Sequence, residues 1–198
     1  MPDRNTFERI AGVDEAGRGP LAGPVVAAAV VLNEEKVPPW PLADSKTIGK
    51  KRREEIYGWI MQNAAVGVGY ADHAEIDRIN ILQASLLAMK RAVLELDPRP
   101  DALLIDGTFT TDLPMPMKQK AVVRGDATVP AISAASIVAK VTRDRLMDKY
   151  HLEYPRYGFD RHKGYPTRAH KQALAQNGPT PIHRKSFKGV KQLEIPSA

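Results

Sequence analysis

One stretch constrains the chain more than any other. A short apolar run, Ile10-Ala11-Gly12-Val13, stops at two adjacent carboxylates, Asp14 and Glu15, and passes directly into Ala16-Gly17-Arg18-Gly19-Pro20-Leu21-Ala22-Gly23-Pro24. The latter segment is too rich in glycine and proline for helix or regular strand. Residues 25–32, all Val, Ala and Leu, then have the length and apolar continuity of a strand covered on both faces. The acidic pair is thereby placed at the mouth of a hairpin or broad turn, where a buried strand emerges. Neighbouring carboxylates leaving a core repel each other and lose hydration, which raises their pKa unless a cation compensates. A hard divalent metal is the usual compensation; the alternative is a pair of solvated strand-end residues.

The pattern recurs. Residues 102–106, Ala-Leu-Leu-Ile-Asp, form a compact apolar strand that ends on Asp106 and Gly107, and the strand predicted over 118–123 runs into Gly125-Asp126. Between these, residues 50–63 are predicted as a helix with Ile56, Trp59 and Ile60 on one face and with 44–47 offering N-caps. Residues 65–70 read as a strand, 72–75 have the spacing of a capping box that opens a short helix, and 81–96 read as a long amphipathic helix. Residues 132–150 are helical, with Ser133, Ser136, Lys140 and Asp144 near one face, and Thr167 caps a last helix that Gly178 ends. Strands that first cluster and later alternate with helices indicate a mixed α/β sheet with helices on its faces. Ligands of such sheets gather beyond the strand ends, so the economical assembly brings Asp14, Glu15, Asp106 and Asp126 into one acidic cluster.

Composition narrows the chemistry. There is no cysteine among the 198 residues, so a metal would be held by oxygen or imidazole, and disulfides and thiol nucleophiles are excluded. No run of eighteen apolar residues occurs, and the first nine positions carry four charges rather than a signal core; a cytoplasmic protein with no membrane attachment is expected. The net charge of +6 is unevenly spread: residues 1–150 hold 20 Lys and Arg against 20 Asp and Glu, whereas 151–198 hold 9 against 3. A basic segment beside a metal-seeking centre suits a polyanion laid across the protein with one phosphate delivered to the metal. Mg²⁺ or Mn²⁺ prefers oxygen-only ligands, and two such ions about 4 Å apart form the clamp for in-line displacement at phosphorus. Phosphodiester hydrolysis in a nucleic acid is the reaction these features indicate together.

The residues that carry the pattern resemble bacterial ribonuclease HII. The resemblance rests on Gly12-Val13-Asp14-Glu15-Ala16-Gly17-Arg18-Gly19-Pro20-Leu21, Asp44-Ser45-Lys46, Leu104-Ile105-Asp106-Gly107, Arg124-Gly125-Asp126, Ser133-Ala134-Ala135-Ser136-Ile137 through Ala139-Lys140, and Tyr157-Gly158-Phe159 with His162-Lys163-Gly164-Tyr165-Pro166-Thr167. It spans about residues 10–187. It implies an RNase H-like fold, a five-stranded mixed sheet flanked by helices with a helical C-terminal extension. It further implies one catalytic domain over 1–198, in which the basic portion 151–198 contributes to substrate binding. The implied activity is cleavage 5′ to a ribonucleotide in RNA–DNA hybrids and at single ribonucleotides embedded in duplex DNA, leaving 3′-hydroxyl and 5′-phosphate ends and so removing misincorporated ribonucleotides. By motif, Asp14, Glu15, Asp106 and Asp126 are implied as catalytic ligands of two Mn²⁺ or Mg²⁺ ions. Gly17, Arg18 and Gly19 are implied to read the ribose 2′-hydroxyl through backbone groups and Tyr165 to support recognition of the RNA–DNA junction; Lys46 is a substrate-binding candidate only through a phosphate contact. Glycine lets a backbone approach a sugar closely, and the 2′-hydroxyl is the group that separates RNA from DNA locally.

Other residues are weaker candidates. Arg124, Lys140, Lys163 and Arg184 are phosphate-contact candidates, as are His162 and His183, while Asp144 is expected to make salt bridges. The terminal Lys191-Gln192-Leu193-Glu194-Ile195 faintly resembles a sliding-clamp-binding tail; otherwise a monomer is expected. Three rival readings stand beside this one. A dinucleotide module is disfavoured because Gly17-x-Gly19-x-x-x-Gly23 misses the fingerprint spacing and the following segment is not a helix. A binding protein without chemistry would leave four acids unexplained. A transposase-like nuclease would cut pure DNA equally. Ribonuclease HIII typically carries an additional N-terminal domain, for which the thirteen residues before Asp14 leave no room.

Overall fold

The structure, a computed structural model, describes residues 9–33, 35–36 and 48–193. Strands β1 (Ile10–Ala16) and β2 (Val25–Leu32) pair antiparallel, and β3 (Ala64–Ala71) pairs antiparallel with β2. Strand β4 (Ala102–Asp106) runs parallel to β1, and β5 (Lys118–Val122) runs parallel to β4, giving a mixed sheet in the order β3-β2-β1-β4-β5. β1 and β2 lie inside the sheet and read as apolar runs because both faces are covered.

Helix α1 (Lys50–Asn63) has the bounds read from the sequence, although Gly49 precedes it as N-cap and makes no side-chain cap bond. The suggested caps within 44–47, and with them the substrate-binding candidate Lys46, fall outside the described residues. Helix α2 (His73–Leu94) opens with both bonds of the capping box between Asp72 and Glu75. It turns at Asn80, whose φ is 65°, and this break explains why its two halves read as separate helices. Helix α4 (Pro130–Glu153) is the longest, starting with proline in its first turn. After the short helix α5 (Phe159–His162), helix α6 (Arg168–Asn177) is capped by Thr167 and followed by Gly178.

Alternation along the strands decides which helix covers which face. Ala11, Val13, Ala27 and Ala29 pack with Ala84, Ala88 and Ala92 of α2. Ala28 and Val30 pack with Ala134, Ala135 and Val138 of α4 and with Ile56 and Ile60 of α1. Small side chains allow close approach, and at Gly12 a Cβ would lie 2.1 Å from the Ala131 backbone carbon of α4. A third apolar cluster joins Leu21 and Ala22 of the β1–β2 connection to Met147, Phe159, Leu174, Ile182 and Val190. The C-terminal helical segment is thereby fixed against the turn that follows the acidic pair.

Candidate active site

Asp14 and Glu15 are adjacent on β1 and therefore project to opposite faces of the sheet. Asp14 turns toward α4, where the Ser136 hydroxyl hydrogen-bonds its carboxylate, and its Oδ1 accepts the Glu15 backbone N–H at 2.7 Å. Glu15 sits on the α2 side, beside Ser85 and Met89, and accepts a bond from Arg18 Nη1 at 3.4 Å. Asp106 ends β4, the parallel neighbour of β1, and lines one cavity together with both. Burial first, and then the like charges of Glu15 and Asp106, hold the Asp14 carboxyl well above the usual carboxylate range. Burial also raises Glu15; Arg18 opposes that shift and Asp106 adds to it.

Asp126 departs from the expected strand-end position. β5 stops at Val122, and the acid lies instead in the first turn of a short helix α3 (Gly125–Thr128), reached through Arg124 in a left-handed conformation. Its backbone N–H donates to Asp106 Oδ1 at 3.3 Å, and its carbonyl accepts the Ser133 hydroxyl at 2.5 Å, which ties it to β4 and α4. The four acids thus come from two strand exits and one helical turn at the same end of the sheet. Among the described residues, no three acidic or imidazole side chains are grouped so as to hold a metal ion by themselves. The donor set nevertheless suits a hard divalent ion: it is all carboxylate oxygen, and Asp14 and Glu15 are raised by burial and by neighbouring acids in the manner that a cation would relieve.

A cavity of about 290 Å³ opens beside the acids, lined by Asp14, Glu15 and Asp106, by residues 16–19, by Ser136 and Lys140 of α4, and by Tyr165. The Tyr165 ring is the nearest neighbour of Gly19, with its Cε1 3.5 Å from the place a Cβ would occupy. Gly17 differs. Its φ is +102° and a Cβ there would meet Arg143 Nε at 2.0 Å, so its lack of a side chain is demanded from inside the protein.

That inner side holds what the sequence did not disclose. Arg143 of α4 and Arg184 are both enclosed, 1% and 0% exposed. Arg184 donates from Nε to the Gly23 carbonyl, from Nη1 to Arg18 and from Nη2 to Gly17. Arg143 donates to the carbonyls of Pro24, Ala22 and Lys163. Burial lowers the pKa of Arg143 to about 10 and that of Arg184 to about 9, so both remain cations at neutral pH.

Several phosphate candidates are corrected accordingly. Arg184 is buried against backbone carbonyls and cannot meet a phosphate; His183 is equally enclosed. Lys163 is mostly buried and bonded to Asp148. Lys140 lines the cavity while bonded to Asp144, and Asp144 also pairs with Arg53 at 3.8 Å, so the salt-bridge expectation for Asp144 holds with partners other than its sequence neighbours. His162 bonds the Tyr157 carbonyl, and its pKa is lowered by burial. Gln192 folds back, its Oε1 accepting the Gly189 N–H at 2.6 Å, while Glu194 and Ile195 of the suggested clamp-binding tail lie outside the described residues.

Comparison with known proteins places these features in a family. A family model described as Ribonuclease HII matches residues 11–190. The chain is 57% identical over 187 residues to a ribonuclease HII of Coxiella burnetii, covering 94% of this chain and 91% of that protein. It is 55% identical over 197 residues to a ribonuclease HII of Geobacter metallireducens, covering 99% and 91%. The ribonuclease H2 from Pyrococcus horikoshii OT3 superposes with a TM-score of 0.77 at 28% identity, over 94% of this chain and 97% of that one. A ribonuclease HIII solved in complex with Mn²⁺ shares the fold, with a TM-score of 0.73 at 17% identity over 93% and 68%. The fold is RNase H-like.

Proposed function

The chain belongs to the ribonuclease HII family, and on that premise we propose that it hydrolyses the phosphodiester 5′ to a ribonucleotide, both in RNA–DNA hybrids and at single ribonucleotides within duplex DNA. As a member of the family it is a nuclease of the ribonuclease H class. The finer reading is carried by one observation: the acids of β1 and β4 share a single cavity with residues 17–19 and with Tyr165. Carboxylates alone would suit many nucleases. A backbone loop and an aromatic ring on the same cavity add a means of testing the sugar next to the bond that is cut.

In this reading Asp14, Glu15, Asp106 and Asp126 would hold two divalent ions of the Mg²⁺ or Mn²⁺ type. Such ions, when bound, lower the pKa of an attacking water and neutralise charge on the leaving oxygen. Their shell would be completed by water and substrate phosphate, as is usual for Mg²⁺, which accords with acids that do not form a closed cage by themselves. Ser136 orients the Asp14 carboxylate, and Asp126 is held beside Asp106 by its own backbone. Residues 17–19 offer main-chain groups to the ribose, and the Tyr165 ring packs on the following sugar. Arg18, about half exposed beside Glu15, would meet the phosphate. Water adds to phosphorus, the bond to the upstream 3′-oxygen breaks, and that oxygen takes up a proton, leaving a 3′-hydroxyl and a 5′-phosphate.

The whole chain acts as one catalytic domain in this account, and the basic segment 151–198 lies along the duplex. The described helices include none long and apolar enough to cross a membrane. The test is to incubate the protein with Mn²⁺ and either single-stranded RNA, an RNA–DNA hybrid, or duplex DNA bearing one ribonucleotide. Cleavage of the last two with the first left intact is expected. Equal cleavage of single-stranded RNA, or cleavage that survives a chelator, would overturn the reading.

A further inference from the structure

Six backbone carbonyls receive the guanidinium hydrogen bonds of Arg143 and Arg184, and no carboxylate is among these partners. Burying a cation without a counter-charge is costly unless every N–H finds an acceptor. Surface arginines elsewhere in the chain meet carboxylates instead: Arg91 with Glu75, Arg145 with Glu54. The unusual partners are also not scattered. Five of the six carbonyls belong to one loop, residues 17–24, and the sixth is that of Lys163, two positions before Tyr165.

The direction of these bonds has a geometric consequence. In a trans peptide group the C=O of one residue and the N–H of the next point to opposite sides. Arg184 draws the Gly17 and Arg18 carbonyls inward, at 2.6 and 2.9 Å. The N–H groups of Arg18 and Gly19 are thereby turned away from Arg184. Arg143 braces the same loop from below, in the space that a Gly17 side chain would need. Main-chain bonds add to the grip: Leu21 N–H to the Gly164 carbonyl, and Arg184 N–H to the Leu21 carbonyl, both at 2.8 Å.

We propose that Arg184, braced by Arg143, is a positioning residue for ribose recognition: it holds the loop by its carbonyls so that the Arg18 and Gly19 amides are presented as a fixed pair of donors to the substrate's 2′-hydroxyl. The inference rests on the reading of residues 17–19 given above and deepens it by naming what keeps that loop in shape. A lysine cannot replace the guanidinium, because one ammonium lacks the planar fork that spans two consecutive carbonyls and a third beyond them. Neither arginine touches substrate; both act through the loop.

The experiment compares wild type, Arg184→Lys and Arg184→Gln by fluorescence anisotropy, with Ca²⁺ in place of the activating metal. The probes are a DNA duplex with one ribonucleotide and the same duplex with deoxyribose there. The readout is the ratio of the two Kd values, with the melting temperature recorded alongside. A partly unfolded variant loses affinity for both duplexes equally, whereas a loosened loop loses the preference. The expected result is a preference in wild type that falls about tenfold in Arg184→Lys, as the loss of a charge-assisted hydrogen bond would give, while the all-DNA Kd barely moves. Should Arg184→Gln fail to fold, Arg184→Lys, which keeps the charge and the stem, decides. An unaltered preference in a folded Arg184→Lys overturns the inference and leaves the reading of residues 17–19 standing. A wild type without preference overturns that reading, and the inference with it.

Discussion

His170 and His183 face each other through their Nε2 atoms at 3.1 Å, both fully enclosed. Their tautomers follow from the partners at the other ends. The Thr180 backbone N–H donates to His183 Nδ1 at 2.9 Å, so His183 must carry its proton on Nε2 and give it to His170 Nε2. His170 then carries its proton on Nδ1 and donates to the Tyr165 carbonyl at 2.9 Å. A continuous chain of bonds runs from Thr180 to the residue that faces Gly19, and it exists only while both rings are neutral.

Acid is therefore expected to unlock this segment. Burial lowers the His183 pKa to about 4 and depresses His170 as well. The unfolded chain takes up protons from about pH 6.5 downward, while the folded chain does not until a lower pH. Stability is accordingly full above pH 6.5 and is lost as pH falls toward 4, by roughly 3 kcal/mol for His183 alone. Urea melts at pH 7.5 and pH 5 check this. A His183→Asn variant, less stable at neutral pH, is expected to lose the steep part of the dependence; an equally steep slope in that variant would contradict the assignment.

Asp14→Asn is expected to abolish turnover and at the same time to stabilise the protein. The Asp14 carboxyl is raised by burial and by Glu15 and Asp106, so ionising it in the fold costs stability as pH rises, and the amide removes that cost. A gain of about 1 kcal/mol or more in metal-free buffer at pH 7.5 is expected. Calorimetric melts of the two proteins measure it, and retained cleavage by the variant would remove Asp14 from the site.

The two glycines that flank Arg18 should behave differently. Gly17→Ala drives a Cβ into Arg143 from a φ of +102°, and is expected to destabilise the protein by about 2 kcal/mol or more. Gly19→Ala meets only the Tyr165 ring at 3.5 Å, an ordinary contact, and its melting temperature should stay near wild type. Its loss is expected in ribonucleotide recognition instead, read as cleavage of a one-ribonucleotide duplex relative to wild type. Equal destabilisation of the two variants would show that the loop is supported otherwise.

Tyr165→Ala removes a ring that is 42% exposed, so little folding stability depends on it. Cleavage at a single embedded ribonucleotide is expected to fall about tenfold or more, against a change of no more than about threefold in the Kd for a long hybrid. Parallel losses on both substrates would assign the ring to general duplex binding.

Much of this was legible in the residues, and what was not has a physical cause. Asp14, Glu15 and Asp106 were legible because an apolar run ending in a carboxylate recurs along the chain, whereas one such strand end alone reads as a solvated residue. Asp126 was legible as an acid near the same end but not as a residue of a short helix, because the left-handed turn at Arg124 leaves no sign in a sequence. Arg143, Arg184 and His183 were obscured by their own chemistry. A basic side chain reads as solvent-facing, and nothing local reveals that five of the six carbonyls bonded by Arg143 and Arg184 lie more than a hundred residues away, or that His183 meets a second buried histidine. The glycine-rich loop read only as a segment that is neither helix nor regular strand; its carbonyls are held from within by two cations.

The most direct test of the central claim uses two duplexes identical except for one sugar, a ribose in the first and a deoxyribose in the second, each labelled and incubated with Mg²⁺ or Mn²⁺. The account predicts a single cut on the 5′ side of the ribose, with 3′-hydroxyl and 5′-phosphate ends, and no comparable cut in the all-DNA partner. Nicking of the all-DNA duplex at a similar rate would contradict it.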